Sequence, residues 1–166
     1  MSASAKTSSS STSTGNINID PTGFVKLGSQ LPKLASILAQ AVNELSLSLS
    51  EKQQRTLLLY LDQLLLWNKA YNLTAITDPE EALIKHVIDC LSIITHLPTG
   101  SLLDIGTGAG LPAVIIAICQ PERSCTALDS NQKRFALLSR SAVSLAYVIC
   151  NRSLRVLKRT KPAMMW

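Results

Sequence analysis

Apolar residues recur at three- and four-residue spacing through Leu34, Ile37, Leu38, Ala41, Val42 and Leu45, the stripe of an amphipathic helix. Ser50-Glu51-Lys52-Gln53 follows with the spacing of a capping box, Ser50 starting a new helix and Gln53 reaching back to it. That helix carries Leu57, Leu58, Tyr60, Leu61, Leu64, Leu65 and Trp67, coverage wide enough to predict burial against two neighbours. Asn72 and Thr74 end it and fit a plain helix terminus. Asp78-Pro79-Glu80-Glu81 marks a further start: a capping acid, a proline suited to the first helical position, and two acids at the positive end of the helix dipole. The stripe Leu83, Ile84, Val87, Ile88, Leu91 and Ile94 runs from there to a stop at Pro98-Thr99-Gly100.

The pattern then shortens. Ser101-Leu102-Leu103-Asp104-Ile105 is a brief apolar run bounded by glycine, as in a buried strand. Gly106 to Gly110 reads as a turn, and Leu111 to Cys119 as a helix with Pro112 in its first turn. Ser124 to Leu128 reads as a second strand ending at Asp129. Two or three helices therefore precede the beginning of a βαβ unit, an α/β architecture. The domain divisions are a Ser/Thr-rich leader over 1–22, a helical region over 23–98, the start of a nucleotide-binding domain over 99–134, and a basic tail over 135–166.

Composition changes this picture at both ends. Ten residues between Ser2 and Thr14 are Ser or Thr, which reads as a disordered leader. An organelle-targeting peptide is the alternative, disfavoured because no arginine or amphipathic period accompanies the serines. The formal charge of +5 is unevenly placed: residues 1–132 hold eight basic and eleven acidic side chains, residues 133–166 eight basic and no acidic ones. A nucleic-acid binder is one meaning of such a balance, but here the excess belongs to the tail. No apolar run is long enough for a membrane span, since Gln63, Asn68 and Lys69 interrupt the richest stretch. Cys90, Cys119, Cys125 and Cys150 form no C-x-x-C pair, so reduced thiols serving as small core residues, no metal site and a cytoplasmic setting are expected.

The candidate chemistry lies in Asp104-Ile105-Gly106-Thr107-Gly108-Ala109-Gly110, at a strand-to-helix junction. Glycines there leave the backbone N–H groups at the helix start open to a ligand. Asp129 lies 23 residues after Gly106, at the end of the next strand, where an acid can accept hydrogen bonds from both ribose hydroxyls of an adenosine. Dinucleotide enzymes usually show G-x-G-x-x-G, whereas this turn is G-x-G-x-G with an acid two residues upstream. S-adenosylmethionine carries no phosphate, and Asp104 is placed to attract the ammonium of its amino-acid end; that cofactor is favoured over a nicotinamide. The plainer role for Asp104 is to brace the turn. On the preceding helix His86 and Asp89 form an i,i+3 pair and Lys85 and Asp89 an i,i+4 pair, a spacing equally suited to a solvated charged face.

Three separated motifs carry a resemblance: Trp67-Asn68-Lys69-Ala70-Tyr71-Asn72-Leu73-Thr74, His86-Val87-Ile88-Asp89-Cys90-Leu91-Ser92, and Leu103 through Pro112. With Leu128-Asp129-Ser130 and Lys133-Arg134, they make residues 34–134 similar to the bacterial glucose-inhibited division protein B family, whose members methylate guanine N7 in small-subunit (16S) ribosomal RNA. The resemblance implies a class I methyltransferase (Rossmann-like) fold after the helices, S-adenosylmethionine as donor, and a bacterial cytoplasmic protein, monomeric, acting on the small subunit. Carried over, Gly106 and Leu111 line the donor site with Thr107, Gly108 and Gly110 between them, Asp129 holds the ribose and Asp104 the methionine end. No catalytic residue is assigned: guanine N7 has an in-plane lone pair and no proton to lose, so transfer needs alignment and exclusion of water.

After Arg134 the motifs stop. Phe135 to Trp166 holds six basic residues and no acid, where a methyltransferase sheet should continue. The tail is expected to be aberrant, from a reading-frame slip between about Phe135 and Ser144, which the gene's nucleotides would decide. With the C-terminal half of the sheet missing, the chain is expected to fold poorly beyond Asp129 and to be inactive. Two other readings stay open: a nicotinamide-dependent oxidoreductase fragment, and a non-enzymatic RNA-binding helical module using the basic tail.

Overall fold

A computed structural model describes residues 23–130 and 154–158. The leader over 1–22 and most of the tail, residues 131–153 and 159–166, lie outside the described residues, as does Cys150. The helical region opens with a single 3-10 turn, Gly28–Gln30, that runs into α1, Leu31–Glu44, three residues before the stripe begins and with Pro32 in the first turn. Leu31, Leu34, Ala35, Leu38, Ala41 and Val42 form its buried face.

Helix α2, Glu51–Tyr71, begins at the expected capping box: Ser50 Oγ accepts from Gln53 N at 3.3 Å and Gln53 Oε1 accepts from Ser50 N at 2.9 Å. The wide apolar coverage has the expected cause. Helix α2 touches α1 and also α5, Ala113–Cys119, and Leu57, Leu58 and Leu61 between them are fully buried. Asn72 closes α2 in the left-handed region at φ 48°, a conformation asparagine tolerates better than most residues.

Asp78 caps α3, Pro79–Ala82, accepting from Glu81 N at 2.9 Å. The helix continues through a π-helical stretch, Leu83–Ile88, into α4, Asp89–Ser92, and a 3-10 turn, Ile94–His96. One expected pair is corrected here. Lys85 and Asp89 are not among the ion pairs of the described residues. Lys85 Nζ instead meets Glu81 Oε1 at 2.6 Å, one turn back.

The sheet is parallel, in the order β1-β2-β3, with β1 Leu102–Ile105, β2 Cys125–Asp129 and β3 Leu154–Lys158. Leu102 aligns with Cys125 and Ile105 with Leu128; Cys125 aligns with Leu154 and Asp129 with Lys158. The third strand corrects the expectation of poor folding everywhere beyond Asp129, because Val156 aligns with Ala127 and packs against the core. Helix α5 starts at Ala113 with Pro112 as its cap, so the proline stands just before the first turn. It covers the face carrying Leu102, Asp104, Cys125 and Ala127. On the opposite face Leu103 and Ile105 are 59% and 70% exposed.

Candidate functional site

The glycine turn stands where β1 and β2 end, and backbone bonds decide its shape. Gly106 N and Thr107 N both donate to Leu128 O, at 2.7 and 3.3 Å, tying the turn to the end of β2. Gly110 N and Leu111 N donate to Thr107 O, at 2.9 and 3.1 Å, closing it toward α5. The expectation that glycine leaves these N–H groups open is therefore corrected: they are engaged within the turn. Glycine serves conformation instead, since Gly106 and Gly108 sit at φ 81° and 61°, where a side chain is strained. A Cβ at Gly106 would meet nothing within 4 Å, and one at Gly108 only Gly106 O at 3.9 Å. Open space therefore flanks the turn.

Both acids singled out in the sequence reach this turn. Asp129, buried at the end of β2, accepts from Gly108 N through Oδ2 at 2.9 Å. Asp104 Oδ2 accepts from Thr107 Oγ1 at 2.5 Å and from Ala113 N at 3.3 Å, bracing the turn against the start of α5. Asp104, Gly106, Thr107, Gly108, Gly110, Leu111 and Asp129 thus form one cluster, arranged about the C-terminal ends of parallel strands where open α/β sheets hold ligands.

Two residues of α2 reach this region, one at the turn and one at the far end of α5. Tyr60, read only as part of an apolar stripe, donates its hydroxyl to Ala109 O at 3.0 Å. Burial pushes its phenol far above the ordinary tyrosine range, so it stays a neutral donor. Gln53 Nε2 donates to Ile118 O and Cys119 O, both at 3.0 Å, and so satisfies carbonyls at the end of α5 while its Oε1 completes the capping box. A hydrogen-bonding tip within an apolar stripe was the signal for Tyr60; nothing local marks the second role of Gln53.

The Trp67–Thr74 motif proves to be a brace. Asn68, buried near the end of α2, accepts from Thr74 N at 2.8 Å and donates to Ile76 O at 3.5 Å. Thr74 Oγ1 accepts from Ile76 N at 3.1 Å and shares a hydrogen bond of 2.9 Å with His86 Nε2. Burial holds His86 below the ordinary histidine value, with Lys85's backbone and nearby acids opposing that shift. Asp62, an acid within the Leu-rich run of α2, is fully buried and accepts from the backbone N–H groups of Val25, Lys26 and Leu27. Cys90, Cys119 and Cys125 are buried free thiols; burial pushes the first two up to about 12, beyond nucleophilic use at neutral pH. Among the described residues no cluster of three His, Cys, Asp or Glu is arranged to hold a metal, and no helix is long and apolar enough to cross a membrane.

Comparison with known proteins gives the chain its relatives. A chain from Psychrobacter cryohalolentis named "Ribosomal RNA small subunit methyltransferase G" is 78% identical over 145 residues, which cover 87% of this chain and 61% of that relative. A namesake from Psychrobacter arcticus is equally similar, and one from Acinetobacter baumannii is 56% identical over 108 residues, 65% of this chain and 51% of its own length. This chain therefore spans about 61% of the length of the two Psychrobacter relatives. The family model described as "GidB: rRNA small subunit methyltransferase G" matches residues 53–155, past Arg134 where the recognisable motifs stop and into β3. With the glycine turn, both acids and all three described strands inside or bordering that match, the chain belongs to the GidB family, the rRNA small subunit methyltransferase G proteins.

Proposed function

We propose that the chain carries the donor site of a class I methyltransferase that methylates guanine N7 of 16S ribosomal RNA in the small subunit, with S-adenosylmethionine as methyl donor. The observation that carries this reading is the Asp129 carboxylate on Gly108 N, which joins an acid at one strand end to the turn at the end of the next. The residues fit the donor: open space lies beside Gly106 and Gly108, with an acid on either side. Asp129 takes the ribose hydroxyls, Asp104 the methionine ammonium, and Gly106, Thr107, Gly108, Gly110 and Leu111 form the wall.

When bound, the donor supplies an electrophilic methyl group on a sulfonium. The chain's own work is positional. Tyr60 and Asp104 fix the turn from either side, so the donor's contacts are set before it arrives. Guanine N7 attacks through a lone pair that needs no deprotonation, so no side chain is assigned as a general base. A cytoplasmic location and a monomeric state are part of this proposal.

In thermal unfolding, S-adenosylhomocysteine is expected to raise the midpoint of the purified chain and NAD to leave it unchanged, because only a ligand of the folded state stabilises it. Stabilisation by NAD instead would support a nicotinamide enzyme. Turnover is a separate matter. With Leu103 and Ile105 bare on one face of the sheet, we expect the 166-residue chain to bind donor without methylating small subunits. Methyl incorporation by that chain would contradict this expectation.

A further inference from the structure

Helix α2 continues nine residues beyond Tyr60 to Lys69, an axial rise of about 13 Å at 1.5 Å per residue. A cleft of about 500 Å³ opens there, lined by Lys26, Asn68, Lys69, Asn72, Thr74 and Thr77 among others. No residue of the proposed donor site lines it. Lys26 and Lys69 both line this cleft, and the proximity of Lys69 holds the Lys26 ammonium below its ordinary value.

The acids nearby are already engaged. Asp62 is taken by the backbone of Val25, Lys26 and Leu27, Asp78 by Glu81 N, and Glu80 by Lys33. Among the described residues the ion pairs are Lys33–Glu80 and Lys85–Glu81, which leaves neither cleft lysine with a carboxylate. The backbones that carry the two lysines are fixed. Asp62 pins the backbone of Lys26, and Lys69 belongs to the last turn of α2. The wall is equally set, since the Asn68 amide is consumed in bracing Thr74 and Ile76. Two lysines at one cleft, with Asn72 and Thr77 also lining it, form an oxyanion site.

We propose that this cleft seats a backbone phosphate of the RNA. The identity of the anion's owner rests on the RNA-methylation reading; the anion site itself does not. A polymer suits the cleft better than a free phosphate, because the volume far exceeds one phosphate and the same helix leads to the glycine turn. A strand lying along α2 would touch the cleft and the turn together.

The test uses the full chain, Lys26→Gln, Lys69→Gln and the double variant, with a labelled single-stranded RNA oligonucleotide followed by fluorescence anisotropy across a potassium chloride series. The double variant is expected to lose about tenfold in affinity at low salt, and its plot of log affinity against log salt to flatten by about 0.7, the value of one single-strand phosphate. Lys69→Arg, which keeps the charge, is expected to retain most of the wild-type affinity and slope. S-adenosylhomocysteine binding should not change in any variant. An unchanged affinity and slope in the double variant would overturn the proposal, as would a lysine-dependent response to inorganic phosphate with none to RNA. Failure of the donor reading looks different: the wild-type chain would not bind S-adenosylhomocysteine, while the lysine-dependent RNA slope persisted.

Discussion

The helical region and the sheet bury their apolar residues to different degrees. Leu34, Leu38, Leu57, Leu58 and Leu61 in α1 and α2 are sealed from solvent, whereas β1 leaves Leu103 and Ile105 largely exposed. The difference follows from geometry. A helix has one apolar stripe and needs one neighbour, and α2, striped on two sides, finds α1 and α5. A parallel strand has two faces and needs a layer on each, and here α5 covers one. The glycine turn lies at the border of these regions and draws Tyr60 from the better-packed one, while Gln53 bonds the far end of α5.

The largest effect should separate the two regions directly. Leu61→Ala opens a cavity in the sealed layer and is expected to cost about 3 kcal/mol in urea unfolding. Ile105→Ser on the bare face should stay within about 0.5 kcal/mol of wild type. An equal cost at Ile105 would show that the face is covered and would end the contrast. Asp62→Ala comes next, removing the acceptor shared by Val25, Lys26 and Leu27 N–H, for about 2 kcal/mol by the same method. Tyr60→Phe deletes one hydrogen bond across the border and should cost about 1 kcal/mol while loosening the turn, seen as faster amide exchange at Gly108 to Leu111.

The smallest effect is a pH slope. Burial lowers the His86 pKa in the folded chain, so the unfolded chain binds its proton first as pH falls. Stability should therefore decline as pH drops through about 6.5, the unfolded histidine value, above the range where carboxylates titrate. His86→Gln should flatten that decline between pH 7 and 5.5. A slope identical to wild type would place its origin elsewhere.

Local chemistry made much of this fold legible. Ser50 with Gln53, Asp78 with Pro79, and the acid two residues before a glycine-rich turn each announce themselves within a few positions. The unread parts depend on partners far along the chain. Asp62 looks like an interruption in a leucine run until residues 25–27, more than thirty positions earlier, supply its three donors. The Ala109 carbonyl that receives Tyr60 is 49 residues away. The π winding over Leu83–Ile88 has no signature in a stripe that fits an α-helix equally well. At the turn the reason for glycine differs from the one the sequence suggests: positive φ requires it, and the glycine N–H groups already have partners.

The central claim is that Asp129 and the turn hold the methyl donor. Calorimetric titration of S-adenosylhomocysteine into the wild-type chain and into Asp129→Asn, which keeps an acceptor for Gly108 N–H, tests it most directly. The account predicts measurable binding by the wild type and about tenfold weaker binding by the variant at an unchanged melting temperature, the loss expected when hydrogen bonds to a charged group become neutral ones. Equal affinity in both chains, or no binding in either, would contradict it.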